Sequence, residues 1–247
     1  METRNITVTE TAEYIEGLYH QPDPNLLNFR EKSDQAMVPI LLKETEALLQ
    51  QLILLRKPKH ILEIGTAVGY GATCFATWAP EADVTTIEYS SEMVEQAKNN
   101  IEAQGLADRI TVLEGDARQV LAQIAAERTK PDDRFDFILI DAGKGHYPEF
   151  WGLSLPMMAK DCIVASDNVL FKGLTASDVF EAEGKKKRKH RTIVRRLRKY
   201  LDYLSHAQGL ITSVLAVGDG LAITTVQDPE LVRSQWNLEQ LMEKEHE

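Results

Sequence analysis

The sequence has few cysteines and no long apolar run, and these shortages exclude several classes of protein. Only 2 of the 247 residues are cysteine, so neither a disulfide-rich fold nor a cysteine-ligated metal centre is expected. Cys74 and Cys162 lie among apolar neighbours and are predicted to be buried free thiols. No uncharged stretch approaches the ~18 residues of a membrane-spanning helix, and no apolar run follows the N-terminal charges. The sequence therefore predicts a cytoplasmic protein that has no membrane partner.

Positive charge is scarce outside one short segment. The formal net charge is −10, from 28 Lys and Arg against 38 Asp and Glu. Residues 185–199 hold ten of these basic side chains and no acid, so the rest of the chain has 18 basic against 38 acidic residues, or −20. A segment of this kind is most often a solvated helix face, and a docking site for a polyanion is the alternative.

Repeats, low-complexity tracts and interdomain linkers are missing, and strands and helices alternate instead. Helices are predicted over 8–19 and from Pro39 to about Arg56. Strands are predicted near 60–65, 83–88, 110–114, 135–141 and 162–167, with helices near 70–79, 91–104, 117–127 and 147–158. Two β-rich runs, 211–217 and 221–226, then flank Gly218-Asp219-Gly220 and suggest an antiparallel hairpin, followed by a polar helix over 228–247.

This order predicts an α/β, Rossmann-like fold. Its mainly parallel seven-stranded sheet would end in a C-terminal antiparallel hairpin and carry flanking helices. The whole chain, 1–247, is predicted to be one domain. It would have N-terminal helices at 1–58, a catalytic core at 59–227 that includes the basic segment 185–199, and a C-terminal helical extension at 228–247.

A glycine-rich turn follows the first predicted strand, in the stretch LEIGTAVGYG. Gly65, Gly69 and Gly71 allow a tight turn and the close approach of a nucleotide-like cofactor. Glu88 ends the next strand, where it could accept hydrogen bonds from a ribose diol. Alone, this pattern fits a nicotinamide dinucleotide almost as well as S-adenosylmethionine, and glycines that merely make turns are the remaining alternative.

The ends of the later strands favour S-adenosylmethionine. The third strand is followed by Asp116, where the base of an adenosine could be contacted, and the fourth by Asp141. A dehydrogenase would need a hydride-transfer site and usually more chain for a substrate domain. Acids at successive strand ends, together with the terminal hairpin, are more typical of a methyltransferase.

Hard oxygen ligands end the fourth and fifth predicted strands. Asp141, Asp167 and Asn168 offer two carboxylates and an amide oxygen, which suit Mg²⁺, with Mn²⁺ and Ca²⁺ as alternatives. Metal and cofactor would then meet one substrate at the same sheet edge. Asx residues also form ordinary turn hydrogen bonds, so the residues alone leave a metal site and a simple turn equally open.

Six stretches together resemble the cation-dependent class I O-methyltransferases of the catechol and caffeoyl-CoA type. They are LEIGTAVGYG, IEYSSEM, GDA, ILIDAGKGHY, DNVLFKGL and VGDGLAI, and the resemblance covers roughly residues 36–226. It implies that Asp141, Asp167 and Asn168 bind the metal and that the enzyme is a homodimer. The cofactor-contacting positions that it implies are Leu41, Glu63, Gly65, Gly71, Glu88, Asp116, Ala117 and Asp141. Gly71 stands where relatives commonly carry a serine.

Lys144 and Asp141 are the predicted catalytic residues of such an enzyme. A metal that binds an acceptor hydroxyl would favour its oxyanion. Lys144 lies three residues after Asp141 and is the candidate general base, or the cation that stabilises the oxyanion. A solvated surface lysine is the bland alternative.

The combination of DNVLFKGL, a basic segment and VGDGLAI most resembles, within this family, the bacterial tRNA 5-hydroxyuridine methyltransferases. This resemblance implies methylation of 5-hydroxyuridine at wobble position 34, with the tRNA anticodon loop as partner. The candidate tRNA contacts are Lys185, Lys186, Lys187, Arg188, Lys189, Arg191 and Arg195. A small-molecule catechol or caffeoyl-CoA-type methyltransferase is the first alternative, and a noncatalytic RNA-binding protein is the second.

Overall fold

The chain folds around a seven-stranded sheet. The structure is a computed structural model and describes residues 8–128, 130–176 and 185–242. The strands are β1 His60–Ile64, β2 Asp83–Glu88, β3 Ile110–Glu114, β4 Phe135–Ile140, β5 Met158–Ser166, β6 Leu210–Leu215 and β7 Leu221–Val226. Their order across the sheet is β3-β2-β1-β4-β5-β7-β6. The first five strands are parallel, and β7 pairs antiparallel with β5 and β6, so the predicted fold class is confirmed.

Helices cover both faces of this sheet. They are α1 Thr9–Gly17, α2 Pro24–Gln35, α3 Lys43–Arg56, α4 Tyr70–Trp78, α5 Ser91–Ala103, α6 Ala117–Glu127, α7 Tyr147–Ser154, α8 Lys185–His206, α9 Pro229–Gln235 and α10 Leu238–Met242. Successive strand residues join different hydrophobic clusters: Ile138 packs with α6, α7 and α8, whereas Phe137 packs with α2 to α5. This alternation is why the central strands bury apolar side chains on both of their faces.

The N-terminal region contains a helix that the sequence did not predict. Helices were predicted over 8–19 and from Pro39 onward, with none between them, yet α2 begins at Pro24. Asp23 caps this helix, because its side chain accepts hydrogen bonds from the backbone of Asn25 and Leu26. The following helix begins at Lys43, so the predicted start at Pro39 was wrong. Pro39 lies instead in the segment that connects the two helices.

The C-terminal extension is also not the single helix that was predicted. The helices α9 and α10 are separated at Trp236, whose backbone is extended and whose ring packs edge-on against Tyr203 with centroids 4.7 Å apart. Trp236 also lies against Gly152, where a side chain would collide with its indole. Burial of this ring against α7 and α8 accounts for the break. Residues 243–247 of the predicted helix lie outside the described part of the chain.

The two cysteines are buried free thiols, as predicted. Within residues 8–128, 130–176 and 185–242, no helix has both the length and the apolar character that a membrane crossing requires.

Candidate active site

A cavity of about 830 Å³ opens at the carboxyl ends of the parallel strands. One side of it is formed by the turn after β1 and by the ends of β2 and β3; the other is formed by the loops after β4 and β5. The sequence-predicted residues that line it are Gly65, Glu88, Asp116, Ala117, Asp141, Lys144, Asp167 and Asn168. The cavity therefore brings together the predicted metal and catalytic residues and five of the eight predicted cofactor residues.

The turn after β1 is held against the neighbouring strand ends. Gly65 has φ +109°, and a Cβ there would collide with the carbonyl oxygen of Asp141, so only glycine fits. The backbone N–H of Ala67 donates to Glu88 Oε2 at 2.9 Å, and the Ser90 N–H donates to Glu88 Oε1 at 2.9 Å. Glu88 thus fixes the turn while it lines the cavity.

Three of the predicted cofactor residues do not line the cavity. Leu41, Glu63 and Gly71 are buried and are not among the cavity-lining residues. The carboxyl of Glu63 occupies the space into which a side chain at position 71 would project, which explains why glycine is accommodated there. It accepts a hydrogen bond from the Thr86 hydroxyl at 2.6 Å. Burial raises the pKa of Glu63 to about 8, although the Thr86 hydrogen bond opposes this.

Glu63 gives a first testable prediction. Because its folded-state pKa is above the ordinary 4.5, its contribution to stability is present below about pH 4.5 and is lost as the pH rises towards 8. Relative to Glu63→Gln, the free energy of unfolding of the wild type should fall by up to about 1.4 kcal/mol per pH unit in this window. Urea unfolding of the wild type and of Glu63→Gln at several pH values measures this difference in the free energy of unfolding. The exposed Glu102→Gln variant is the control, and a difference that does not change with pH would contradict the prediction.

Asp116 and Ala117 lie where β3 gives way to α6. Asp116 is the N-cap of α6, since its side chain accepts a hydrogen bond from the Arg118 backbone N–H at 2.9 Å. The Arg118 guanidinium donates to the same carboxylate through Nε at 3.0 Å and Nη2 at 2.5 Å. These hydrogen bonds lower the pKa of Asp116 to about 2, so the cavity keeps a charged carboxylate on this side at neutral pH.

Asp141, Asp167 and Asn168 stand at adjacent strand ends, with Lys144 beside them. Asp167 is 2% exposed, and its Oδ1 accepts a hydrogen bond from the Asn168 backbone N–H at 2.7 Å. The Lys144 Nζ lies 4.0 Å from Asp141 Oδ1. Burial raises the pKa of both acids, the charge of Asp141 raises that of Asp167 further, and Lys144 opposes both effects. The Asp141 side chain is 30% exposed. Because Asp141 lines the cavity, the protein around the cavity still desolvates its carboxylate.

These residues fit a divalent cation. The buried carboxylate of Asp167 and the partly buried carboxylate of Asp141 have Lys144 as a nearby counter-charge, and a divalent cation would compensate their remaining negative charge. In the described ranges, no three His, Cys, Asp or Glu side chains are grouped to hold a metal, so binding here would need the amide oxygen of Asn168 as well. The donor set of two carboxylates and one amide is the one that the sequence predicted.

Asp219 is a cavity residue that sequence analysis missed. It lies in the turn between β6 and β7, is 8% exposed and lines the cavity with Asp167 and Lys172. Burial raises its pKa to about 6, while the hydrogen bond from the Lys172 backbone N–H and the charges of Lys144 and Lys172 oppose this. The signal was present in VGDGLAI, but that stretch was interpreted as a hairpin turn and a family motif.

Two arginines of α8 face the active-site loops and were not among the predicted tRNA contacts. Arg196 Nη1 donates to the carbonyl oxygen of Gly145, one residue after Lys144, at 2.8 Å. Arg198 Nε donates to the carbonyl oxygen of Thr175 at 2.8 Å. The helix therefore borders the loop that carries Lys144 and the segment that follows Asn168.

The predicted tRNA contacts lie on α8. The side chains of Lys185, Lys186, Lys187, Arg188 and Lys189 are outside the described part of the structure. Arg191 is exposed and Arg195 is partly exposed. Neither of these two lines the cavity.

Comparison with known proteins identifies the family. The O-methyltransferase family matches residues 23–226. A catechol O-methyltransferase of Niastella koreensis is 31% identical over 163 residues, 65% of this chain and 72% of that protein. A caffeoyl-CoA O-methyltransferase of Populus kitakamiensis is 28% identical over 176 residues, 71% of this chain and 73% of that protein. The crystal structure of an O-methyltransferase from Bacillus cereus in complex with SAH covers 88% of this chain and 97% of its own, with 26% identity and a TM-score of 0.73.

The fold and the cavity define an α/β methyltransferase of the Rossmann-like class, with a glycine turn at one side of the cavity and acids at the strand ends. The chain belongs to the O-methyltransferase family. The predicted enzyme class, an S-adenosylmethionine-dependent O-methyltransferase, is confirmed.

Proposed function

We propose that this enzyme methylates one hydroxyl of a small molecule with two adjacent oxygens, of the catechol type, and that it requires a divalent cation. The observation that carries the proposal is that Asp141, Asp167, Asn168 and Lys144 line the same cavity as the glycine turn and Glu88. The relatives described above are named for catechol and caffeoyl-CoA, so they favour this acceptor over tRNA.

The residues of the chain would divide the work between two sides of the cavity. The turn at Gly65 and Ala67, with Glu88, would hold S-adenosylmethionine, which supplies a methyl group on a sulfonium. Asp141, Asp167 and Asn168 would hold the cation, which when bound lowers the pKa of an acceptor hydroxyl. Holding the acceptor oxygen in line with the methyl group supplies much of the rate enhancement.

Lys144 is placed to accept the proton of the acceptor hydroxyl or to stabilise the oxyanion that forms when the proton leaves. The transfer forms a carbon–oxygen bond, breaks the carbon–sulfur bond and releases one proton, S-adenosylhomocysteine and the methyl ether. As an amine, Lys144 Nζ would take this proton; as an ammonium, it would stabilise the oxyanion. No covalent intermediate with the enzyme is required.

The second candidate acceptor is tRNA that carries 5-hydroxyuridine, whose O5 hydroxyl and O4 carbonyl are also adjacent oxygens. Its support is the position of α8, a basic helix whose Arg196 contacts the loop of Lys144. Phosphate contacts from such a helix would weaken with salt. The anticodon-loop partner and the homodimer stay predictions.

The experiment that tests the proposal compares acceptors under identical conditions. Purified protein, S-adenosylmethionine and Mg²⁺ are incubated with catechol, with resorcinol, or with tRNA containing 5-hydroxyuridine, and the added methyl mass is measured. We expect methylation of catechol, none of resorcinol, whose hydroxyls are not adjacent, and loss of activity with EDTA. Methylation of tRNA alone would overturn the small-molecule assignment, and EDTA-resistant methylation would overturn the role of the cation.

Matched variants connect this activity to the site. Asp167→Ala should abolish the response to Mg²⁺, because it removes a carboxylate of the proposed cation site. Asp108→Ala is the control, since Asp108 is an exposed acid remote from the residues that line the cavity. Equal activity of the two variants at limiting Mg²⁺ would contradict the assignment of Asp167.

A further inference from the structure

The turn between β6 and β7, residues 217–220, packs between the start of α3 and the loop after β5. Gly218 has φ +58°, and a Cβ there would lie 3.1 Å from Leu42 Cδ1 and 2.8 Å from Thr45 Oγ1. Gly220 has φ +89°, and a Cβ there would lie 2.8 Å from the backbone nitrogen of Leu170. The turn thus touches the start of α3 on one side and the loop after β5 on the other.

The loop after β5, residues 168–172, has an unusual backbone. Asn168, Phe171 and Lys172 have φ values of 55°, 46° and 57°, in the left-handed region that residues other than glycine seldom adopt. Such conformations persist when the surrounding structure holds them in place. This loop includes Asn168 and directly follows Asp167, so its conformation decides where the amide of the proposed cation site lies.

Three hydrogen bonds join the loop to the β6–β7 turn, and the turn accepts all three. The Val169 N–H donates to the Gly220 carbonyl oxygen at 2.9 Å, and the Leu170 N–H donates to the Asp219 carbonyl oxygen at 3.1 Å. The Lys172 N–H donates to the Asp219 carboxylate. Asp219 therefore accepts two of the three bonds, one through its backbone and one through its side chain.

We propose that Asp219 is a positioning residue for cation binding. Its carboxylate holds the 168–172 loop in the left-handed conformation that places Asn168 on the cavity wall beside Asp167. The role is indirect: the carboxylate acts on the loop through the Lys172 N–H and is not a ligand of the cation. This inference rests on the proposed function, because it concerns the same cation site.

Two substitutions separate positioning from charge. Asp219→Ala removes the acceptor of the Lys172 N–H, whereas Asp219→Asn keeps an acceptor oxygen and removes only the charge. Binding of Mn²⁺, measured by electron paramagnetic resonance without S-adenosylmethionine or acceptor, is the readout. We expect the Ala variant to bind Mn²⁺ about 10- to 100-fold more weakly, the range for residues that orient ligands. The Asn variant should stay near the wild-type affinity.

The outcomes that would overturn the proposal are distinct. If Asp219→Ala binds Mn²⁺ with wild-type affinity, Asp219 has no positioning role. If both variants lose Mn²⁺ affinity equally, the negative charge of Asp219 is the cause and the positioning role is overturned. If Asp219→Ala does not fold by circular dichroism, the Asn variant decides: loss of affinity there overturns the proposal, and near-wild-type affinity supports it. Failure of the wild-type protein to bind Mn²⁺ would instead refute the proposed function. Asp108→Ala is the matched acid control.

Discussion

Replacement of Lys144 by alanine is expected to lower kcat for methyl transfer by about 10²- to 10⁴-fold, the usual range for a general acid or base. Its Nζ lies 4.0 Å from Asp141 Oδ1 and its side chain lines the cavity. The bound acceptor would lose the group that takes its proton or stabilises its oxyanion. Binding of S-adenosylmethionine, measured by calorimetry, should change little, since Lys144 is not among the predicted cofactor contacts.

Two further variants define what Lys144 does. Lys98→Ala replaces an exposed lysine of α5 and should keep wild-type activity. Lys144→Arg keeps the positive charge but cannot serve as a base near neutral pH. If Lys144 takes the proton, the Arg variant will be as slow as the Ala variant; recovery in the Arg variant would assign Lys144 to oxyanion stabilisation. A kcat within threefold of wild type in Lys144→Ala would remove it from the mechanism.

Replacement of Arg30 by methionine is expected to lower the free energy of unfolding by about 3–5 kcal/mol, the usual cost of breaking a buried ion pair by removing one partner. Arg30 is 4% exposed and Glu46 is 1% exposed, and the Arg30 guanidinium binds the Glu46 carboxylate. Tyr19, Gln21 and Tyr70 donate to the same carboxylate. The substitution would leave this buried carboxylate without its cation.

Urea unfolding measures this effect, and a second substitution tests its cause. In Arg30→Met combined with Glu46→Gln, neither charge remains and the amide oxygen can still accept hydrogen bonds, so much of the lost stability should return. Arg233→Met replaces an exposed arginine and serves as the control. A loss below about 1 kcal/mol in the single variant would mean that Arg30 behaves as a surface ion pair does.

Arg30 also connects the missed helix to the cavity. Its Nη2 donates to the carbonyl oxygen of Leu41 at 2.7 Å, within the segment that carries Val38, Ile40 and Leu42 to the cavity wall. The Arg30→Met variant that still folds should therefore have a higher KM as well. Leu41, which was predicted as a cofactor contact, accepts this hydrogen bond through its carbonyl oxygen, and its contact with the cofactor stays a prediction.

The sheet and its strand ends could be predicted because their signals are local. Apolar runs of strand length alternate with helical periodicity, and parallel strands bring their carboxyl ends to one edge, where Asp141 and Asp167 follow. The helix α2 was missed because a proline can either begin a helix or interrupt one. Only the capping contacts of Asp23 show that Pro24 begins a helix. Local signals therefore positioned the acids correctly but not the segment that closes the cavity beside them.

Other features depend on contacts that no local pattern reveals. Two examples join segments that are far apart in the chain: the packing of Trp236 against Tyr203 and the hydrogen bond from Arg196 to Gly145. A basic run indicates charge but not which of its side chains turn towards the protein. The predicted tRNA contacts at Arg191 and Arg195 stay predictions for the same reason.

The turn between β6 and β7 has a consequence for how the enzyme matures on the ribosome. Asp219 and the amide of Lys172 are 47 residues apart in the chain, whereas the glycine turn and Glu88 come from neighbouring segments. Long-range pairings form late, because the intervening chain must first be synthesised and closed. In a nascent chain, the glycine turn and Glu88 could therefore fold well before the β6–β7 hairpin has been synthesised. The 168–172 loop would be ordered only after that hairpin has formed. Competence for chemistry would then be the last property that the growing polypeptide acquires.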